Sequence, residues 1–206
     1  MDTQKSVELN EKSNLTSPSR SNVRKRFFVA LLPPAEVQAK TNEIKAVMRD
    51  QYASQAAFRS PPHVTLLAPF DWPIAELPRL AQALKTFAAS QLPVPMTLDG
   101  FAAFAPHVIY INVVQGDRIM EIQPQLLSYV ESTIGLARKR DQNRSFVPHM
   151  TVAFRDLKPN MFRKAWSVFQ HQEIHFDFTV GQLTLLIHDG KMWTVKEHYA
   201  FAPEKQ

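Results

Sequence analysis

The 206-residue chain contains no cysteine, which excludes a disulfide framework and a thiolate metal site. We therefore expect a reducing compartment and predict a cytoplasmic protein. Glycine is scarce at five residues, and no Gly-rich loop of the P-loop or Rossmann kind occurs. The longest apolar run, 27–35, is far shorter than the roughly 20 residues that a membrane span needs. The N-terminus also lacks the apolar stretch of a secretory signal.

The positive charge is concentrated at one end of the chain. The formal net charge is +5, but residues 1–26 carry six Lys or Arg against three acids, so the remainder contributes only +2. A strongly basic surface that tracks many phosphates is therefore not indicated, whereas a small anionic ligand is compatible with the charge.

Composition and periodicity divide the chain into a tail and one ordered region. Residues 1–23 are rich in Ser, Asn, Thr and charge, which predicts a disordered tail. We expect residues 24–206 to form a single domain. Apolar runs and alternation predict strands at 26–32, 58–70, 96–101, 108–114, 146–155, 173–180, 183–188 and 192–202, and helical spacing predicts helices at 35–49, 77–87, 117–134 and around 162–169.

Several end signals refine these boundaries. Asp117 is a plausible N-cap for the third helix, with Gly135 just past its end and Pro124 either kinking the helix or marking its start. Asp189-Gly190 predicts a two-residue hairpin turn. The order of elements predicts an α+β protein of two pseudo-equivalent lobes, each a mostly antiparallel sheet backed by helices.

One short pattern occurs twice. The sequence PHVTL at 62–66 returns 86 residues later as PHMTV at 148–152. With seven His and eleven Thr in the chain, roughly 0.4 His-x-Thr tripeptides are expected by chance, so two copies with matching flanks exceed the false-positive risk of a short motif. Because side chains alternate along a strand, the His and Thr of each copy share one face while the apolar residues face a core.

The paired motif predicts one active site built from two parts of the chain. Two imidazoles across a cleft form a general acid and base pair, since an unperturbed pKa of about 6.5 allows one neutral and one protonated ring. Such a pair breaks a P–O bond without a metal: His149 is assigned as the base and His63 as the acid, although pseudo-symmetry makes these roles exchangeable. Thr65 and Thr151 donate to non-bridging phosphate oxygens, and strand parity adds Arg155 to the same face.

These segments resemble the two-histidine phosphoesterase superfamily, specifically the 2′,5′ RNA ligase and cyclic phosphodiesterase group. The resemblance rests on PHVTL, PHMTV, the opening RFFVALLPP and the segment SFVPHMTVAFR. It implies a bilobal α+β fold around a central cleft, no obligatory cofactor or metal, and action on 2′,3′-cyclic or 2′,5′-linked phosphates of RNA ends or nucleotides. The matching positions are His63 and His149 for catalysis, Thr65 and Thr151 for phosphate, and Arg155 for a basic contact.

The remaining candidates carry less information. Phe28 is a candidate for base stacking, although an aromatic residue on an early strand is more often core. His171 and His175 have the spacing of a helical metal pair, but they lie in a strand-like pattern where that spacing does not converge on a metal. His188 and His198 are interpreted as turn or surface residues, and so is His107 unless its turn borders the cleft.

Three functions remain open. The first is hydrolysis or ligation at a 2′,3′-cyclic or 2′,5′ phosphate of an RNA end or a nucleotide. The second is a nucleotide or RNA-end binding module without turnover, and the third is a phosphodiesterase for a non-RNA cyclic phosphate. We expect a monomer with no membrane contact.

Overall fold

The computed structural model describes residues 23–136 and 145–203. The predicted tail therefore lies outside the described residues except for Val23. No helix in these two ranges combines the length and apolar character needed to cross a bilayer. The elements are β1 (Arg24–Leu31), α1 (Ala35–Tyr52), β2 (Val64–Pro73), α2 (Leu77–Ala89), β3 (Val94–Phe104), β4 (Val108–Val113), α3 (Asp117–Ile134), β5 (His149–Ala153), α4 (Pro159–Phe169), β6 (His175–Val180), β7 (Gln182–His188) and β8 (Trp193–Ala200).

Two four-stranded sheets form the framework. The first has the order β2-β1-β7-β8 and the second the order β5-β4-β3-β6, and all their pairs are antiparallel. This confirms the predicted α+β class with paired antiparallel sheets. The sheets do not correspond to the two halves of the chain, because the first combines N-terminal and C-terminal strands while the second comes from the middle. Strand periodicity shows where a strand lies but not which strand it pairs with.

The helices bury apolar stripes against these sheets. Helix α1 packs against β5 and α4, whereas α2 packs against α3, β7 and β8. The stripe of α3 recurs every three or four residues, which is the spacing that keeps one helix face buried. That helix ends at Gly135, whose φ of +70° favours glycine. The buried residues of the α3 stripe are Ile119, Ile122, Leu126, Val130 and Ile134.

Some predicted boundaries were wrong. Asp117 is the first helical residue of α3 and Gly116 occupies the cap position, while Pro124 lies inside the helix. The segment 58–70, which is expected to contain the first motif strand, begins in a 3₁₀ turn, Ala56–Arg59, and the strand itself starts at Val64. In the β7–β8 connection the backbone N–H of Asp189 donates to the carbonyl of Met192 (3.0 Å). The central pair of that turn is thus 190–191, one position later than predicted.

Candidate active site

The two motif strands are the edge strands of their sheets, and they contact each other. A cleft of about 440 Å³ opens between the sheets at this point. It is large enough for a small-molecule site, which usually measures about 300–1,000 Å³. The cleft is lined by Arg26, Phe28, Ala57, Arg59, Ser60, His63, Thr65, Pro69, Phe104, Val108, His149, Thr151, Phe154, Arg155, His188 and Trp193.

Both motif histidines are held in the same way. The Nδ1–H of His63 donates to the carbonyl of Pro61, and the Nδ1–H of His149 donates to the carbonyl of Val147, each at 2.7 Å. Since a carbonyl oxygen only accepts, the Nδ1 atoms carry the proton and the Nε2 atoms are free to accept one. Each neutral ring therefore has one basic nitrogen.

The proline of each motif explains this shared geometry. Pro62 and Pro148 have a fixed φ and bias the preceding residue toward extended backbone. The carbonyl that accepts from each imidazole belongs to that preceding residue. The matching prolines thus help to place two equivalent acceptors, one under each ring.

The strand alternation predicted for the motifs is present. Thr65 and Thr151 line the cleft and are partly exposed. Their neighbours point into the core, where they add apolar burial that anchors the two edge strands. These buried neighbours, all at most 1% exposed, are Val64, Leu66, Met150 and Val152.

Burial makes both imidazoles harder to protonate. It lowers the pKa of His63 to about 4, against the opposing effect of the Pro61 hydrogen bond, and the positive charges of Lys45 and His149 lower it further. Burial also lowers the pKa of His149, again opposed by its backbone hydrogen bond. Lys45 is 1% exposed, its own pKa falls to about 8 through burial, and its ammonium donates to the carbonyl of Ser60 (3.1 Å). Both rings therefore take up a proton less readily than an exposed imidazole does.

Arg155 lines the cleft, but the parity argument that placed it there was wrong. Strand β5 ends at Ala153, so the alternation stops before this residue. Arg155 has a φ of +64°, in the left-handed region that costs a non-glycine residue roughly 1 kcal/mol. Its guanidinium carbon lies 5.2 Å from the ring centre of Phe154, which also lines the cleft.

Phe28 forms part of the cleft wall beside the first histidine. Its ring centre lies 4.8 Å from that of His63 and 4.7 Å from that of Trp193, and the residue is only 3% exposed. Little of its surface is available for a base. Among the aromatic residues that line the cleft, Phe104 is 41% exposed and offers far more area.

Of the other histidines discussed above, the structure places one in the cleft lining that the sequence did not assign there. His188, interpreted as a turn or surface residue, lines the cleft next to Trp193, with ring centres 4.8 Å apart. His107 is exposed and outside the lining. His175 contacts the carboxylate of Asp177 (3.0 Å) on its own strand, and within residues 23–136 and 145–203 no group of three or more His, Asp or Glu side chains is arranged to hold a metal ion.

Sequence reasoning missed five residues of this region. Arg26, Phe104 and Trp193 lie near strand ends, Arg59 ends a 3₁₀ turn, and Lys45 lies on the buried side of α1. No local pattern marks these positions as parts of one site. No carboxylate belongs to the lining among the described residues, which leaves the arginines to set the local charge. The missed residues are Arg26, Lys45, Arg59, Phe104 and Trp193.

A profile of the 2′-5′ RNA ligase superfamily matches residues 33–192. The chain belongs to this superfamily. A relative from Geobacillus kaustophilus, described as a candidate phosphoesterase, is 30% identical over 177 residues that cover 84% of this chain and 95% of its own. A second so described, from Geobacillus thermodenitrificans, is 29% identical over the same shares of the two chains. Membership supports a phosphoesterase of the two-histidine kind.

Solved structures share the fold. TT0787 of Thermus thermophilus superposes with a TM-score of 0.65 at 22% identity, covering 87% of this chain and 100% of its own. Escherichia coli LigT, solved with 3′-AMP, superposes with a TM-score of 0.65 at 19% identity, covering 87% and 99%. At these identities the similarity establishes the architecture, and it agrees with the two antiparallel sheets described above.

Proposed function

We propose that the protein hydrolyses 2′,3′-cyclic phosphate or 2′,5′ phosphodiester bonds of RNA ends or nucleotides by metal-independent acid and base catalysis. One observation carries the proposal. His63 and His149 line one cleft, and each donates its Nδ1 proton to a backbone carbonyl, which leaves its Nε2 for a reacting proton. We further propose that residues 24–206 act as one bilobal domain and a monomer in the cytoplasm.

The proposed reaction proceeds by in-line attack on phosphorus. One histidine takes a proton from water through Nε2 while the water oxygen bonds to phosphorus, and the P–O bond to the leaving ribose oxygen breaks. The other histidine gives that oxygen a proton. Thr65 and Thr151 donate to the non-bridging oxygens of this phosphate, and Arg155 adds a cationic contact to the substrate. The phosphate's negative charge favours protonation of the second histidine, because an opposite charge stabilises the imidazolium.

The charges around the two rings favour one order of roles. Among the described residues, the charge of Lys45 disfavours a proton on His63, whereas burial is the main cause that lowers the pKa of His149. We therefore propose His63 as the base and His149 as the acid for hydrolysis, the reverse of the order assigned from sequence. The roles exchange when the reaction runs as ligation.

The comparisons support a nucleotide phosphate as substrate. The relatives are described as candidate phosphoesterases, and LigT has been solved with 3′-AMP, NADP+, ATP and phosphate. The exposed ring of Phe104, which packs against His149, offers a surface on which a base can stack. Trp193 and Phe28, which pack against each other in the cleft wall, are further candidates.

The decisive experiment incubates the protein with 2′,3′-cyclic nucleotides and 2′,5′-linked dinucleotides in excess EDTA. Wild type is expected to turn over at least one class, and His63→Ala and His149→Ala are each expected to lose about a hundredfold or more of kcat. His171→Ala is the matched control, since this exposed histidine lies outside the cleft. Absence of turnover on every substrate contradicts the proposed reaction, and full activity in both variants contradicts the proposed site.

The same assay separates the two alternatives. Tight binding of a cyclic nucleotide without product favours the binding module. Turnover of a non-nucleotide cyclic phosphate, without turnover of the RNA substrates, favours a phosphodiesterase for a non-RNA cyclic phosphate.

A further inference from the structure

Several cationic side chains line the cleft. Three arginines line it and no carboxylate does, among the described residues. The guanidinium of Arg26 lies 3.8 Å from the carboxylate of Asp71, which offsets its charge. Arg59 and Arg155 make no ion pair within residues 23–136 and 145–203, and both side chains are exposed at the cleft. Two arginines are thus available to an anion.

A single carboxylate ties together the segments that carry these arginines. Asp156 follows Arg155 directly and accepts three hydrogen bonds from the start of the 3₁₀ turn that ends at Arg59. The donors are the hydroxyl of Ser54 (2.8 Å) and the backbone N–H groups of Gln55 (3.0 Å) and Ala56 (2.9 Å). These segments are about a hundred residues apart in sequence, so this link holds together the two backbone segments from which the arginines project.

The orientation of Arg155 is also constrained on its other side. Its left-handed backbone is of the kind that persists where the surroundings impose it, and such residues cluster at ligand sites. The guanidinium lies over the ring of Phe154 at 5.2 Å, which is within the range of a cation–π contact. Arginine suits phosphate because its planar fork gives two parallel hydrogen bonds.

Building on the proposed function, we propose that Arg59 and Arg155 form a second anion subsite beside the histidines. It takes another phosphate of the same substrate while the scissile phosphate lies between His63 and His149. The substrate class is then a nucleotide or RNA end with at least two phosphates, and Asp156 is a positioning residue for the subsite.

The kinetic test compares three substrates in EDTA. They are a 2′,3′-cyclic nucleoside monophosphate, the same compound with a 5′-phosphate, and a dinucleotide that ends in a 2′,3′-cyclic phosphate. Wild type is expected to show kcat/KM about tenfold higher when a second phosphate is present, the size of one charge-assisted hydrogen bond. If only the 5′-phosphate compound is preferred, the ligand of the subsite is a terminal phosphate monoester. If the 5′-phosphate compound and the dinucleotide are both preferred, the subsite binds an internucleotide phosphate equally well.

Arg59→Gln is expected to remove most of that preference, so that the three kcat/KM values converge. Arg163→Gln is the matched control, because this exposed arginine lies on α4 outside the cleft lining. Asp156→Asn is expected to reduce the ratio between substrates as well, whereas a purely structural role would lower all three values by the same factor. Equal kcat/KM for all three substrates in wild type overturns the subsite and leaves the proposed reaction intact.

A binding measurement keeps the subsite testable if no substrate is turned over. Calorimetry with adenosine 2′,5′-bisphosphate and adenosine 2′-monophosphate requires no catalysis. Wild type is expected to bind the bisphosphate about tenfold more tightly, and Arg59→Gln is expected to bind both alike. Equal affinity of wild type for the two ligands, or an unchanged difference in Arg59→Gln, contradicts the subsite independently of the reaction.

Discussion

The two motif copies share their backbone geometry but not their surroundings. In each, a proline follows the residue whose carbonyl accepts from the histidine Nδ1–H, at the same distance of 2.7 Å. The first ring packs 4.8 Å from Phe28, and the charge of buried Lys45 acts on it. The second ring packs 5.2 Å from Phe104 and 5.1 Å from Tyr110. The repeat thus sets the orientation of the imidazoles, whereas the residues packed around them differ and add to the effect of burial on their pKa values.

The largest expected effect comes from replacing each histidine in turn, which distinguishes the acid from the base. We expect His63→Asn and His149→Asn each to lose about a hundredfold or more of kcat on a substrate with an oxygen leaving group. A substrate with sulfur in place of the leaving oxygen needs no protonation, because a thiol is far more acidic than an alcohol. Single-turnover rates on the sulfur substrate are expected to be largely rescued in His149→Asn only. Rescue in His63→Asn instead reverses the roles.

A smaller effect tests whether the two halves bind phosphate equally. Thr65→Val and Thr151→Val keep the side-chain shape and each remove one neutral donor, which is expected to reduce kcat/KM by about tenfold. Thr194→Val, on the exposed strand β8, is the control. A loss confined to one variant shows that the phosphate contacts are not symmetric.

The smallest expected effect concerns the pH profile. Lys45→Gln keeps a hydrogen-bond donor but removes a positive charge that lowers the pKa of His63, so that pKa is expected to rise. Because protonation of the base stops the reaction, the acidic limb of the kcat/KM profile should move to higher pH. NMR titration of the His63 ring checks the same shift directly. An unchanged His63 pKa, with that of His149 altered, contradicts the asymmetry described above.

Local pattern was sufficient for much of this protein. The helical stripes, the α+β class and the alternating faces of the motifs follow from side-chain periods of 3.6 and 2, which are properties of the backbone itself. Arg155 shows where that reasoning stops. The alternation of side chains along β5 ends with the strand at Ala153. Arg155 lies beyond it, and its left-handed backbone, not strand parity, accompanies its place in the cleft lining.

The sequence by itself determined the repeated His-x-Thr strands, the proline before each histidine and the residues that face the core. Tertiary structure decided that N-terminal and C-terminal strands join in one sheet, that Lys45 lies buried beneath the first motif, and that Asp156 connects the segments of Arg59 and Arg155. The physical reason is the distance along the chain over which each kind of interaction acts. Periodicity acts over a few residues, whereas strand partners, buried charges and hydrogen bonds across a hundred residues depend on how the whole chain packs.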